Sequence, residues 1–131
     1  MRQDFVQIYR RNTWGFGSGH GSLPSVTAPY RFLVEQFVRE NRPRSIVDLG
    51  CGDWQFSHLI NWQGAKYVGL DIVPTVIEEN RRRYASDNVS FEVTDEAFSS
   101  LPAADLLLAK DVLQHWSAHD VKRFLAEALP K

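Results

Sequence analysis

The stretch Ile46-Val47-Asp48-Leu49-Gly50-Cys51-Gly52-Asp53-Trp54 decides how this chain is read. A short apolar run ends at an acidic residue, two glycines follow with one residue between them, and a helical pattern starts almost at once. That order predicts a strand over residues 45–49, a tight turn, and a helix with Phe56, Leu59 and Ile60 on one face, ended by Gly64. Glycine tolerates positive φ and has no Cβ, so a ligand can approach the backbone at Gly50 and Gly52. The helix start expected next offers unpaired N–H groups to a polar or anionic ligand. A dinucleotide fingerprint G-x-G-x-x-G would need a third glycine where Gln55 stands, which weighs against an NAD-linked oxidoreductase.

Downstream, the pattern of strand and helix repeats. Tyr67-Val68-Gly69-Leu70-Asp71 reads as a second strand, and Asp71 closes it 19 residues after Gly52. In a nucleoside-binding α/β fold a carboxylate there accepts hydrogen bonds from both ribose hydroxyls; the rival role is capping of the next helix. That helix has Pro74 in its first turn, Val73, Val76, Ile77 and Tyr84 along one face, and Arg81-Arg82-Arg83 toward its end, where cations suit the dipole. Val89-Ser90-Phe91-Glu92-Val93-Thr94 alternates as a third strand and runs to Asp95. Asp105-Leu106-Leu107-Leu108-Ala109-Lys110 is apolar enough for a fourth strand buried on both faces. It opens into Asp111-Val112-Leu113-Gln114-His115-Trp116, and Ser117 with Asp120 forms a capping pair before Val121, Phe124, Leu125 and Ala128.

Upstream, Phe5, Ile8 and Tyr9 predict a short amphipathic helix within residues 1–12. Thr13-Trp14-Gly15-Phe16-Gly17-Ser18-Gly19-His20-Gly21-Ser22 follows, rich in glycine but without the G-K-[ST] ending of a P-loop. Such composition implies flexibility, yet Trp14 and Phe16 can each bury large apolar area, so the stretch is read as a mobile loop that folds over a bound cofactor. From Thr27, a predicted N-cap, Tyr30, Leu33, Val34, Phe37 and Val38 mark a helix with Pro29 in its first turn, and Pro43 bars its continuation.

Size and composition bound the answer. With 131 residues, 44% hydrophobic and 24% charged, the chain suits one globular domain. A formal charge of -1 gives no electrostatic reason to expect nucleic acid. One cysteine, Cys51, excludes an intrachain disulfide framework and fits a reducing compartment. No apolar run reaches a membrane span and the start lacks a secretory core, so a cytoplasmic protein is expected. No metal is expected.

Four strand-to-helix units argue for a parallel sheet with helices on both faces and a ligand beyond the carboxyl ends of the strands. The expected fold class is α/β, a Rossmann-like three-layer sandwich with a mostly parallel sheet, truncated after the fourth strand and its helix. One partial domain is expected, with residues 1–44 supplying N-terminal helices and the glycine-rich loop and residues 45–131 the cofactor-binding core.

Asp48, Gly50 and Gly52 resemble motif I, D/E-x-G-x-G, of class I S-adenosylmethionine-dependent methyltransferases, with Trp54 where a further glycine often stands. The resemblance covers about residues 45–128. The N-terminal R-N-T-W-G-x-G-S-G region, Asp71-Ile72-Val73-Pro74 and Asn80-Arg81-Arg82-Arg83-Tyr84 are also similar to a bacterial group of such enzymes. It implies S-adenosylmethionine as cofactor, held by Trp14, Asp48, Gly50, Cys51, Gly52, Asp71, Ile72, Asp95 and Lys110. By the same resemblance Asp95 accepts from the adenine amino group, and Lys110 lies near the methionine moiety. The implied activity is methyl transfer to a small-molecule or protein acceptor, a small molecule being favoured, with His115, Asp111 and His20 as candidate bases. The family fold usually has seven strands, so a homo-oligomer covering the strand-four edge is a further expectation. The alternative is a module that binds S-adenosylmethionine or its demethylated product without turnover.

Overall fold

Strand β1 (Ser45–Leu49) is the centre from which the sheet is built. It pairs in parallel with β2 (Lys66–Asp71) on one side and with β4 (Leu106–Leu108) on the other, while β3 (Val89–Val93) adds beyond β2, giving the order β3-β2-β1-β4. The computed structural model describes residues 1–96, 98 and 100–129. All four strands run parallel, and the direction in which successive strands are added switches between β1 and β4, so the crevice beyond their carboxyl ends is the natural ligand position in such a sheet.

Side chains alternate between the two faces, as the strand period of two requires. Ile46, Tyr67 and Phe91 point to one face, where helix α2 (Ala28–Asn41) adds Val34 and Val38. Val47, Leu49 and Leu70 point to the other, covered by helix α1 (Arg2–Arg11) through Phe5, Val6 and Tyr9 and by helix α4 (Ala118–Ala128) through Phe124. Helix α3 (Pro74–Tyr84) joins β2 to β3 and gives Ile77 to the first cluster, Val76 to the second. Each such side chain, fully buried, contributes about 1.5–3 kcal/mol. The Rossmann-like arrangement expected from the sequence is present. No helix among the described residues is long and apolar enough to cross a membrane.

The largest departure follows the glycine turn. Instead of an α-helix there is one 3₁₀ turn, Ser57–Leu59. Trp54 explains it. Its backbone sits at φ 58°, in the left-handed region, and its ring is buried against Tyr67, Tyr84 and Phe91 at centroid distances of 5.4, 5.1 and 5.2 Å. A right-handed helical turn would swing that indole out of the core. Trp62 packs on Tyr67 at 4.7 Å and anchors the far end of the crossover. Leu59, placed on the apolar face by its spacing, is 46% exposed.

Helix α2 also turns less of its apolar surface inward than predicted. Val34 and Val38 are buried and Tyr30 is half-buried, while Leu33 and Phe37 face solvent. The helix meets the sheet along one narrow stripe, whereas the sequence pattern marks a broad one. Thr27 occupies the N-cap position, but its hydroxyl donates back to Leu23 O at 3.0 Å and caps no helical N–H. Ser117 behaves as predicted and accepts from the Asp120 amide at 3.1 Å. β4 is shorter than predicted, and its leucines are half-buried because it is the edge strand.

Candidate functional site

The turn after β1 is tied to the end of β2. The Gly50 and Cys51 amides both donate to Leu70 O, at 2.7 and 3.0 Å. Gly50 has φ 67° and Gly52 φ 58°, conformations that favour glycine. A Cβ at Gly50 would stand 2.4 Å from Val112 Cγ2, and one at Gly52 would stand 2.6 Å from Ser18 Oγ. Both glycines are therefore required by close packing as well as by φ.

Asp71 closes the turn from the other side. Its Oδ2 accepts from the Gly52 amide at 3.0 Å and its Oδ1 from the Val73 amide at 3.0 Å. Burial raises its pKa, and the two amides oppose that rise. Asn80, on the buried face of α3, completes the support by donating from Nδ2 to Gly52 O at 2.7 Å. Asn80 was missed in the sequence, although a polar residue three positions after Ile77 in the apolar stripe is a readable signal.

Asp48 is buried behind the turn. The Tyr67 hydroxyl donates to its Oδ2 and in turn accepts from Trp54 Nε1 at 2.8 Å. Burial lifts the Asp48 pKa to about 7, the Tyr67 hydrogen bond pulls it down, and the neighbouring Asp71 charge adds to the rise. Burial also raises the Cys51 thiol pKa. Cys51 therefore packs as a small apolar group inside the turn.

These groups line a cavity of about 560 Å3 at the crevice between β1 and β4. Trp14, His20, Asp48, Gly50, Cys51 and Gly52 all line it, together with Asp71, Ile72, Lys110, Asp111 and His115. Of the residues singled out from the sequence, Asp95 alone is not in the lining; it lies exposed two positions past β3. Lys110 ammonium pairs with the Asp111 carboxylate and lies 5.6 and 5.5 Å from the ring centroids of Tyr30 and Phe56. His20 and His115 are both exposed at the cavity wall.

The glycine-rich segment covers the turn through specific bonds. Ser18 N donates to Asp53 Oδ2 at 3.1 Å, Asp53 N donates to Ser18 Oγ at 3.0 Å, and Tyr9 shares a 2.7 Å hydrogen bond with the same hydroxyl. Gln55 Nε2 donates to Phe16 O at 2.9 Å. Tyr9 and Ser18 were not foreseen as site residues, since Ser18 and Asp53 are 35 positions apart. Burial pushes the Tyr9 pKa up, with Asp71 adding to the effect.

The family model described as a methyltransferase domain matches residues 46–130. The chain belongs to that family. Nodulation protein NoeA of Rhizobium meliloti (strain 1021) is 27% identical, over 88% of this chain and 29% of its own length. Magnesium-protoporphyrin O-methyltransferase of Rhodobacter capsulatus is 33% identical, over 63% of this chain and 38% of its own. The methyltransferase-domain chain thus spans less than two fifths of these curated relatives. Among solved structures, magnesium protoporphyrin IX methyltransferase (ChlM) from Synechocystis PCC 6803 superposes with a TM-score of 0.69. That match is 17% identical and covers 95% of this chain and 68% of that one, a likeness that shows the shared fold.

Proposed function

We propose that the chain binds S-adenosylmethionine and serves methyl transfer to a small-molecule acceptor. The observation that carries this reading is the acidic balance of the cavity: four aspartates, Asp48, Asp53, Asp71 and Asp111, line it against the ammonium groups of Lys110 and of the Met1 N-terminus among its described lining residues. An acidic cavity favours a cationic ligand and opposes the diphosphate of NAD. The crossover after the glycine turn has only a 3₁₀ turn, so the helix N-terminus that a pyrophosphate would use is absent there. The similarity to magnesium-protoporphyrin O-methyltransferase of Rhodobacter capsulatus and to the SAM-bound methyltransferase of Synechocystis supports the same choice.

In this reading Asp71 holds the ribose. Each of its oxygens accepts one backbone N–H and keeps a lone pair for a hydroxyl. Ile72 provides an apolar wall beside it, and Gly50, Cys51 and Gly52 let the ligand pass close to the backbone. Asp48 and Lys110 flank the amino-acid end, and Asp95 remains the candidate partner of the adenine amino group. When bound, the sulfonium supplies an electrophilic methyl group; the chain's own part is orientation and exclusion of water. His115, His20 and Asp111 line the cavity, and in this reading they are the candidates to take a proton from an acceptor.

Calorimetric titration with S-adenosylmethionine, S-adenosylhomocysteine and NAD tests this. The first two are expected to bind and NAD to give no heat. Binding of NAD alone would overturn the reading.

A further inference from the structure

Trp14 is unusual among the tryptophans in being 39% exposed while its orientation is fixed. Phe5 meets its ring edge-on at 5.7 Å, Tyr9 lies at 6.3 Å, and the His115 ring runs nearly parallel to it, 16° apart at 6.2 Å. Phe5 also meets His115 edge-on at 5.7 Å. Gly19, at φ 96°, lies against Trp14, its Cβ position 3.4 Å from Trp14 Cβ. The result is a rigid aromatic shelf on the cavity wall.

We propose that this shelf is the acceptor subsite and that it selects a planar, uncharged aryl acceptor. The inference rests on the cofactor reading above and names the substrate class. Position comes first. Trp14 and His115 line the same cavity as Asp71, on the wall shared by α1 and the segment after β4. With the nucleoside assigned to Asp71, the exposed part of Trp14 is assigned to a second molecule, which moves Trp14 from the cofactor to the acceptor.

Charge decides the class. Lys110 pairs with Asp111 and the Met1 ammonium with Asp4 and Glu96, so among the described lining residues both ammonium groups already have acidic partners. The carboxylates of Asp48, Asp53 and Asp71 already accept from the Tyr67 hydroxyl, the Ser18 amide and the Gly52 and Val73 amides. The shelf itself is made of the rings of Trp14, Phe5, Tyr9 and His115, with no carboxylate among them to pair with an ammonium. A flat ring stacks on indole and imidazole and needs no charged partner.

The test titrates the full chain, saturated with S-adenosylhomocysteine, with four probes: 2-naphthol, decahydro-2-naphthol, 2-naphthoate and 2-naphthylmethylammonium. Naphthol is expected to bind at least about tenfold more tightly than the other three. Trp14→Leu is expected to abolish that preference while the S-adenosylhomocysteine dissociation constant stays within about threefold. Tighter binding of either charged probe, or of the saturated alcohol, overturns the proposal. So does a Trp14→Leu variant that loses S-adenosylhomocysteine and keeps naphthol. Failure of native chain to bind S-adenosylhomocysteine refutes the cofactor reading instead, and the naphthol series on the unliganded chain then judges the shelf by itself.

Discussion

Two glycine-rich segments meet in this molecule and owe their shapes to different forces. Gly50-Cys51-Gly52 is fixed from below by the sheet, through Leu70 O, Asp71 and Asn80. The segment Gly15–Gly21 is fixed from the side by Ser18, Asp53 and Gln55, all outside the sheet. The first is a floor and the second a cover, and the cover takes its position from the floor. Stability is therefore expected to reside in the first segment and adjustability in the second.

The pH response of Asp48 gives the largest separation. Its pKa is about 7 in the folded chain against an ordinary 3.8, so between these values the folded state holds a proton that the unfolded chain has lost. Its contribution to stability is greatest below the ordinary value, declines as pH rises, and is gone above about 7. Asp48→Asn cannot ionise and escapes the decline. Unfolding free energies from urea denaturation at about pH 8 should place the variant above the native chain by roughly 2–4 kcal/mol, with the gap closing toward about pH 4.

Gly50→Ala should come next. The added methyl meets Val112 and the left-handed φ is strained, a cost of about 2–3 kcal/mol by urea denaturation. In the cover, Ser18→Ala removes the hydroxyl shared by Tyr9 and the Asp53 amide, costing about 1 kcal/mol and raising hydrogen exchange over residues 17–21. Gly21→Ala should be the smallest change, within about 0.5 kcal/mol, because a Cβ there meets nothing and φ is not positive. A Gly21→Ala effect as large as that of Gly50→Ala would erase the distinction between floor and cover.

The floor was legible in the sequence and the cover was not. Asp48, Gly50 and Gly52 announced the turn because their constraints are local: strand end, φ and close approach. Asp71 was legible for the same reason, since it closes a strand. The helix expected after Gly52 failed because the spacing of Phe56, Leu59 and Ile60 carries no sign that Trp54 is drawn into the core by Tyr67, Tyr84 and Phe91. The bonds of Ser18 to Asp53 and of Tyr67 to Asp48 join side chains distant in sequence, and no periodicity encodes them. The glycine-rich stretch was read as a loop folding over the site, and the structure lays it on the turn through bonds the sequence did not specify.

The central claim is that the turn and Asp71 together hold a nucleoside. It is tested most directly by titrating native chain and Asp71→Ala with S-adenosylhomocysteine, with circular dichroism showing that the variant is folded. The account predicts a dissociation constant about 10- to 100-fold weaker, the loss of charge-assisted hydrogen bonds worth about 1.5–3 kcal/mol. An unchanged dissociation constant in the folded variant would contradict it.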